Sequence, residues 1–471
     1  MQRREFLKSL AAAGAIAPAL GARAGEEAVP SRLPVAGTYD LVVAGGSATG
    51  VCAAVTAARA GLKVALVEYN AFFGGTATAA LVPVWHSLYS TDGKTKIIGG
   101  LTEEIESRLL ARGEAELKNP DDPSVGCYFN VAAMQLALDE LVTEQKSIAT
   151  YFKAQVVGAE KDREGHLTAA VIEDKSGRRA LRAKWFIDAT GDADLAARAG
   201  FETWKLPKEQ MQAHTLCAIF SNVGPIYDKY RAFVVNEILK PEFGAGLKHV
   251  FGWWAPVIGA NDAYFYAGTR ISACDPSVAD DLTQGLFEAR RQIRKIVDAV
   301  NRKYPMPPGK RFSLVALGSD LGLRESRHIK ARYRVTAEDV LFGRRFDDCI
   351  AKGSYRVDIH EGTGITFRYL DGHEEVISTS PDGKITTRKD FWRKDKAVRP
   401  TWYEIPLRAL IPEKAENLIC AGRMIDCTRE AYGALRVMVN CNQMGEAAGR
   451  AAAKAVREGL RAADACPGSS I

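Results

Sequence analysis

Gly45, Gly46, Ser47 and Gly50, followed by Glu68, are residues whose type and spacing suit them to hold a dinucleotide. Glycines let backbone N–H groups approach a pyrophosphate at a helix N-terminus, where the helix dipole favours an anion. A carboxylate 23 residues after Gly45 is placed to accept hydrogen bonds from a ribose diol. In the G-x-G-x-x-G pattern the middle glycine falls on Ser47. Its side chain narrows the closest approach, but its hydroxyl can donate to a phosphate. An ordinary strand–helix–strand crossover is the alternative reading of the same stretch.

A second group of residues can act on a substrate. His360 closes Val-Asp-Ile-His before a glycine turn, and His328 and Arg324 lie in Arg-Glu-Ser-Arg-His. A neutral imidazole is a general base near neutral pH. A guanidinium can anchor a carboxylate or an oxyanion. Of the two histidines His360 is expected nearer the chemistry, with Tyr403 the next proton carrier. Lys330 and Arg334 read as a solvated face, and His86 as a packing residue. Asp192 and Asp194 follow Ala189-Thr190-Gly191 and begin a helix; they are either helix N-terminal charges or part of the site. Nine cysteines form no C-x-x-C pair, and Cys420 and Cys427 lack a histidine cluster. Neither a metal site nor a redox dithiol is expected, and the odd count leaves at least one thiol unpaired.

The elements that must position these residues follow from periodicity. Leu41–Ala44 is an apolar run suited to a buried parallel strand. Small residues from Val51 to Ala60 read as a helix ending at Gly61. Val64–Val67 is a second strand that delivers Glu68. Residues 101–113 and 130–147 have helical periodicity, and residues 151–187 read as strands, the last of them, Trp185–Ile187, entering the Ala189–Gly191 turn. Residues 201–400 are richer in aromatics and carry a long amphipathic helix between Pro276 and Tyr304. The C-terminal part returns to the first pattern, with a strand at Leu418–Cys420 and a helix of small residues from about Leu435. No second glycine-rich unit appears, so one dinucleotide site without a nicotinamide domain favours a flavin. The partial positive charge of the C-terminal helix then suits the N1–O2 locus of a reduced flavin.

Residues 1–24 carry Arg3-Arg4, an apolar stretch from Leu10 to Leu20 and a small-x-small site at Ala22-Arg23-Ala24. They read as a twin-arginine export signal, with a periplasmic or otherwise exported mature chain, and residues 25–38 as a linker. Losing residues 1–24 removes four basic residues and one acidic one and takes the formal charge from +6 to +3. That balance, without a basic run, gives no case for nucleic acid. No segment is apolar for long enough to span a membrane.

Taken together, GGSATG with Glu68, FGGTAT, FIDATGDAD, RESRHI, VDIH, YEIPLRALIP and NLICAGRMID…GALRVM…MGEAAG resemble the FAD-dependent oxidoreductases, the family that includes flavoproteins labelled xanthan lyases and is related to fumarate-reductase-type flavoproteins. The resemblance spans Tyr39 to Gly459. It implies an α/β fold: a Rossmann-like FAD-binding domain of three-layer ββα type, formed by residues 39–200 and 401–471, with a mixed α+β substrate domain inserted at 201–400. It implies that Gly45, Gly46, Ser47 and Gly50 hold the pyrophosphate and Glu68 the adenosine ribose. Gly75 and Thr76 would lie along FAD, Val156 near adenine, and Ala189, Thr190 and Gly191 near the ribityl chain. Asp426 and the helix start at Leu435, Arg436 and Val437 would sit at the flavin. The expected activity is hydride transfer between flavin N5 and a small polar substrate, a sugar or an organic acid, with an electron acceptor the sequence does not identify; it leaves the oligomeric state open too. Reduction of an activated double bond and a non-catalytic, FAD-stabilised carbohydrate-binding protein are the alternatives.

Overall fold

The computed structural model describes residues 33–118, 126–226, 247, 252–362, 364–380, 385–395 and 399–466. The export signal and residues 25–32 of the expected linker lie outside the described residues. The first strand starts at Val35 rather than Tyr39, and its first residues already pair with Ala180–Arg182, so the end of the expected linker is sheet.

A seven-stranded sheet organises the chain. Its order is Ile148–Phe152, Val64–Glu68, Val35–Ala44, Gly177–Asp188, Leu167–Asp174 and Gln155–Lys161, and Leu418–Cys420 also pairs with Gly177–Asp188. The first four strands and Leu418–Cys420 run parallel, and the other two join antiparallel. Leu41 to Ala44 are 0% exposed, as expected of a parallel strand covered on both faces. The long Gly177–Asp188 strand divides its free edge: its first half pairs with Leu167–Asp174, and Phe186 to Asp188 pair with Leu418–Cys420. The C-terminal segment thereby returns beside the first glycine turn.

Helix Ala48–Arg59 is capped by Ser47, whose hydroxyl oxygen accepts from Gly50 N at 3.4 Å. It lies along helix Met438–Glu458. A Cβ added at Gly445 would fall 2.1 Å from the Thr49 carbonyl oxygen, and one at Gly449 2.4 Å from that of Ala53. Larger residues at either position would force these close-packed helices apart. The expected helix from Leu435 is in fact two: Arg429–Leu435 ends at Arg436, and Met438–Glu458 begins after Val437.

The inserted region builds its own core from residues between Leu216 and Leu321. Strands Trp253–Pro256, Ala263–Ala267, Cys217–Ser221 and Ser313–Leu317 form an antiparallel sheet. Helix Ala279–Lys303 buries Ala289, Ile293, Ile296, Val297 and Val300 in that core. Its Asp280 and Asp281 at one end, and Arg302 and Lys303 at the other, complement its dipole. The expected boundary at residue 400 is too late for this core: Val340, Ile350, Val357 and Ile359 belong to the main core instead. Strand Val357–His360 is thereby carried by the main core that bears the glycine turn, packed on Gly433, where a Cβ would fall 2.9 Å from Asp358 N. Among the described residues no helix is long and apolar enough to cross a membrane.

Candidate active site

The glycine turn is built for close approach. Gly45 has φ +100°, and a Cβ there would lie 2.5 Å from the Ala189 oxygen; one at Gly50 would lie 1.8 Å from the Gly45 oxygen. Side chains are thus excluded where backbone must meet a pyrophosphate. Ser47 accepts the Gly50 N–H and keeps its own O–H for a ligand. Gly74 N donates to Gly46 O at 2.9 Å, and a Cβ at Gly75 would lie 2.9 Å from Ser47 Cβ, so the Gly75–Thr76 turn rests directly on the glycine turn. Ala189 N donates to Ala44 O at 2.7 Å, and Asp188 holds Thr190 through its N–H at 3.0 Å and its hydroxyl at 2.7 Å. Ala154 N donates to Glu68 O at 3.1 Å, which sets Val156 just beyond the end of the Glu68 strand. The structure thus gathers the expected pyrophosphate, ribose, adenine and ribityl residues along one edge of the sheet.

Glu68 is 6% exposed, and its two oxygens accept Gly46 N at 2.7 Å and Asn70 N at 2.6 Å. Burial raises its pKa, opposed by those two bonds. Gly46 N–H therefore points at Glu68 and not at a phosphate, which corrects the expected role of that group. Each carboxylate oxygen keeps a second lone pair for a ribose hydroxyl.

One residue that fits a cofactor was not read from the sequence. Asn442 is 1% exposed, and neither atom of its amide has a hydrogen-bond partner among the described residues. It stands three residues before Gly445 on the same helix face. Since Gly445 lies against Thr49 and Gly449 against Ala53, the register carries Asn442 to the glycine turn itself. The signal was the polar run Asn440-Cys441-Asn442-Gln443 in a helix otherwise rich in alanine and glycine. The bare backbone at Gly45 and Gly50 together with this orphaned amide fit FAD.

The substrate candidates separate into two groups. His360, Arg324 and Arg436 come together. His360 Nε2 lies 3.0 Å from Asp358 Oδ1, and its Nδ1 lies 2.8 Å from an Arg270 nitrogen. Arginine only donates, so Nδ1 is the acceptor and Nε2 carries the proton toward Asp358. Burial, then the Arg324 charge, push the His360 pKa down to about 3. Burial acts to raise Asp358, but His360, Arg436 and Arg356 outweigh it and hold that carboxyl well below its usual range. Arg436 donates to the Asp358 carbonyl at 3.0 Å and to Gln212 Oε1 at 3.3 Å. His360 N donates to the same Gln212 oxygen at 3.2 Å. Arg324 donates to Ala213 O at 2.5 Å and to Thr215 Oγ1 at 2.8 Å. Its pKa falls to about 9 through burial, then the nearby Arg436 and Arg270. His86 stacks on Tyr355 at 4.6 Å, and Tyr355 donates to Asp358 at 2.8 Å, so the expected packing histidine backs this cluster. Arg270 and Gln212 carried no motif that could have named them; Asp358 lies in the Val-Asp-Ile-His stretch, where only the histidine was singled out.

His328 and Asp426 make no direct bond to His360, Arg270 or Asp358, although His328 borders the cluster through Glu325, which accepts Gln212 N at 3.0 Å. His328 is 1% exposed, stacked on Trp204 at 4.3 Å and edge-on to Tyr432 at 4.6 Å, with Nδ1 2.9 Å from Ile425 O. Its Nε2 lies 3.5 Å from buried Glu325 Oε1, so the ring faces Glu325 and not the Arg270–His360 pair, and it ranks below His360 as a proton carrier. Asp426, expected at the flavin, accepts Ala331 N at 2.9 Å and Trp204 Nε1 at 3.0 Å, so its carboxylate ties the 328–335 segment to the core. Asp192 accepts Arg423 at 2.9 Å, and Asp194 pairs with Arg327. Lys330 pairs with Glu202 at 3.1 Å on the surface, and Arg334 covers Trp204 at 4.4 Å. Tyr403 is buried, with its hydroxyl 3.0 Å from Ala434 O. All nine thiols are unpaired, and eight are buried. Among the described residues Asp162, Glu164 and His166 form the one group with metal-ligand proximity, in an exposed turn.

A family model described as FAD dependent oxidoreductase matches residues 40–465. No curated protein matches the chain. Similar solved structures include p-nitrophenol 4-monooxygenase from Pseudomonas putida, at 10% identity and TM-score 0.43 over 90% of this chain and 82% of that one. A myxobacterial chondrochloren halogenase is 14% identical, with TM-score 0.43 over 91% of this chain and 77% of that one. A geranylgeranyl bacteriochlorophyll reductase-like protein from Thermoplasma acidophilum is 14% identical, with TM-score 0.40 over 90% and 79%.

Proposed function

The chain belongs to the FAD-dependent oxidoreductase family, and from that premise we propose that it moves a hydride between flavin N5 and a small polar substrate held at the Asp358–His360 cluster. The observation that carries this reading is the meeting of Arg436, expected at the flavin, with His360 and Arg324 around Gln212 and Asp358. When bound, FAD supplies the electron chemistry, and the protein supplies binding, orientation and proton transfer.

Gly45, Gly50, Ser47 and the adjoining Gly75–Thr76 turn hold the pyrophosphate side, Glu68 the ribose, Ala189–Gly191 the ribityl chain, and Asn442 a polar atom beside the glycine turn. At the substrate, Asp358 fixes the His360 tautomer by accepting Nε2–H and keeps the lone pair at Nδ1, on the Arg270 side. Once Arg270 turns to an anionic substrate group, which also offsets the Arg324 and Arg270 charges that help hold His360 at about 3, that lone pair can take the proton leaving with the hydride. Arg324, with no carboxylate partner among the described residues, is the cation that anchors substrate. Reduction of an activated double bond is the second reading. Arg324 favours it, because its guanidinium stands beside the His360 cluster bonded only to a carbonyl and a hydroxyl among the described residues. Residues 1–24 support export by the twin-arginine route.

The experiment begins with the mature protein, which should be yellow and release FAD on denaturation. His360→Ala should keep its FAD, and substrate-driven flavin reduction in an anaerobic rapid-mixing experiment should slow by about 10²- to 10⁴-fold, the usual worth of a positioned base. A colourless protein that takes up no added FAD refutes the reading. A His360→Ala variant that reduces flavin at the parent rate refutes the assignment of His360.

A further inference from the structure

The cluster around Asp358 holds more positive charge than it neutralises. Arg270 is 8% exposed, and among the described residues its guanidinium meets only the neutral imidazole of His360. Among the described residues the Arg324 guanidinium meets only a carbonyl and a hydroxyl. Arg356 lies over the Phe367 ring at 4.3 Å, with its Nε buried and without a partner. Arg436 shares Asp358 at 3.3 Å, and its Nε is also without a partner. Among the described residues Asp358 is thus the one carboxylate bonded to any of the four guanidinium groups; buried Glu325 accepts Gln212 N at 3.0 Å, and counting it still leaves the four cations in excess.

Unspent neutral donors add to the imbalance. Gln212 is 0% exposed, and its Oε1 accepts from both His360 N and Arg436. Two donors at that atom settle which end of the amide is oxygen. The other end, Nε2, is a buried donor without a partner. Uncompensated buried charge and unpaired buried donors are both costly. The cluster therefore lacks an acceptor, and the missing acceptor carries negative charge.

We propose that this cluster binds the carboxylate of a small organic acid, and that such acids, not neutral sugars, are the substrates. The proposal rests on reading the cluster as the substrate side of the flavin site. Arg270, Arg324 and Arg436 supply charged donors and Gln212 Nε2 a neutral one. A planar carboxylate accepts two parallel N–H bonds from one guanidinium, which a sugar hydroxyl cannot do. A neutral sugar would also leave the surplus charge uncompensated in a site of low dielectric. The incoming carboxylate competes with His360 Nδ1 for Arg270. Binding then frees the Nδ1 lone pair of His360, which for a hydroxy acid would take the O–H proton while FAD, when bound, would supply the acceptor for the hydride of the same carbon.

Succinate and malonate, with glucose as the neutral control, test this on the FAD-loaded protein by calorimetry and by perturbation of the flavin absorbance. The expected result is saturable binding of a carboxylate, none of glucose, and affinity at least about ten-fold weaker in Arg270→Gln, the scale of one lost charge-assisted hydrogen bond. Gln212→Glu keeps the side-chain shape and adds a negative charge where the carboxylate should sit, so it should abolish binding while FAD content stays at the parent level. The proposal is overturned if FAD-replete protein binds glucose and neither acid, if it binds none of the three, or if both variants bind carboxylate as the parent does. Failure of the flavin reading is separate, because it shows as missing FAD on denaturation whatever the carboxylates do.

Discussion

Replacing Glu68 with glutamine changes one oxygen of a side chain that serves two purposes. In the folded protein its oxygens accept Gly46 N at 2.7 Å and Asn70 N at 2.6 Å, and the residue is 6% exposed. Glutamine offers one acceptor and one NH2, so one of the two backbone donors must face another donor. A hydrogen bond to a charged group contributes about 1.5–3 kcal/mol, and an orphaned buried donor costs a similar amount. The FAD-free variant should therefore lose about 2–3 kcal/mol of unfolding free energy in urea. If the same carboxylate also accepts the ribose hydroxyls, FAD affinity falls by a further factor of about 10–100, since each 1.4 kcal/mol is tenfold. FAD at 100 times its Kd stabilises the parent by about 2.7 kcal/mol, and a hundred-fold weaker Kd leaves about 0.4 kcal/mol of that. The FAD-loaded variant should then be destabilised by more than the FAD-free one. Flavin fluorescence titration measures Kd, and urea denaturation with and without FAD measures the rest. An unchanged Kd with a weakened FAD-free protein would mean that Glu68 only braces the turn, and the ribose role would be wrong. No change in either quantity would refute the hydrogen-bond reasoning altogether.

Three further outcomes are expected. Burial first, among other causes, depresses His86 and His214 to about 4 and His360 to about 3, so the unfolded chain binds protons below about pH 6.5 that the folded one refuses. Stability should therefore fall as pH drops from about 6.5 toward 4, by up to about 1.4 kcal/mol per pH unit for each histidine; a urea midpoint that stays flat over that range contradicts this. Gly445→Ala places a methyl group 2.1 Å from the Thr49 carbonyl oxygen, so it should cost about 1–3 kcal/mol in urea denaturation and weaken FAD retention, because the same contact sets the start of the Ala48 helix. Changing Arg3 and Arg4 to lysine should hold the protein in the cytoplasm, since lysine lacks the planar fork of the guanidinium; normal delivery in a fractionation assay would exclude the twin-arginine assignment.

The dinucleotide unit was legible in the sequence because its requirements are local. The spacing of Gly45, Gly50 and Glu68, the apolar run Leu41–Ala44 and the small residues after Gly50 sit within one strand–turn–helix–strand stretch, where period and turn chemistry act over a few residues. The same holds for the amphipathic helix, expected between Pro276 and Tyr304 and found at Ala279–Lys303. Residue roles were less legible. His328 stood in a charge-rich stretch and His360 at a strand end before a glycine turn, yet the first is enclosed by Trp204 and Tyr432 and the second faces Arg270. Asp426 lay in a motif beside the expected flavin, yet its carboxylate turns to Trp204 and Ala331. Gln212, Arg270, Asp358, His360 and Arg436 span more than 200 residues of chain and meet only because the inserted sheet, the Val357–His360 strand and the joint between helices Arg429–Leu435 and Met438–Glu458 converge. A single arginine or glutamine has no local pattern. What it bonds, and whether its charge is neutralised, depends on which distant groups the packed core brings within about 3 Å, and that is decided by the tertiary fold.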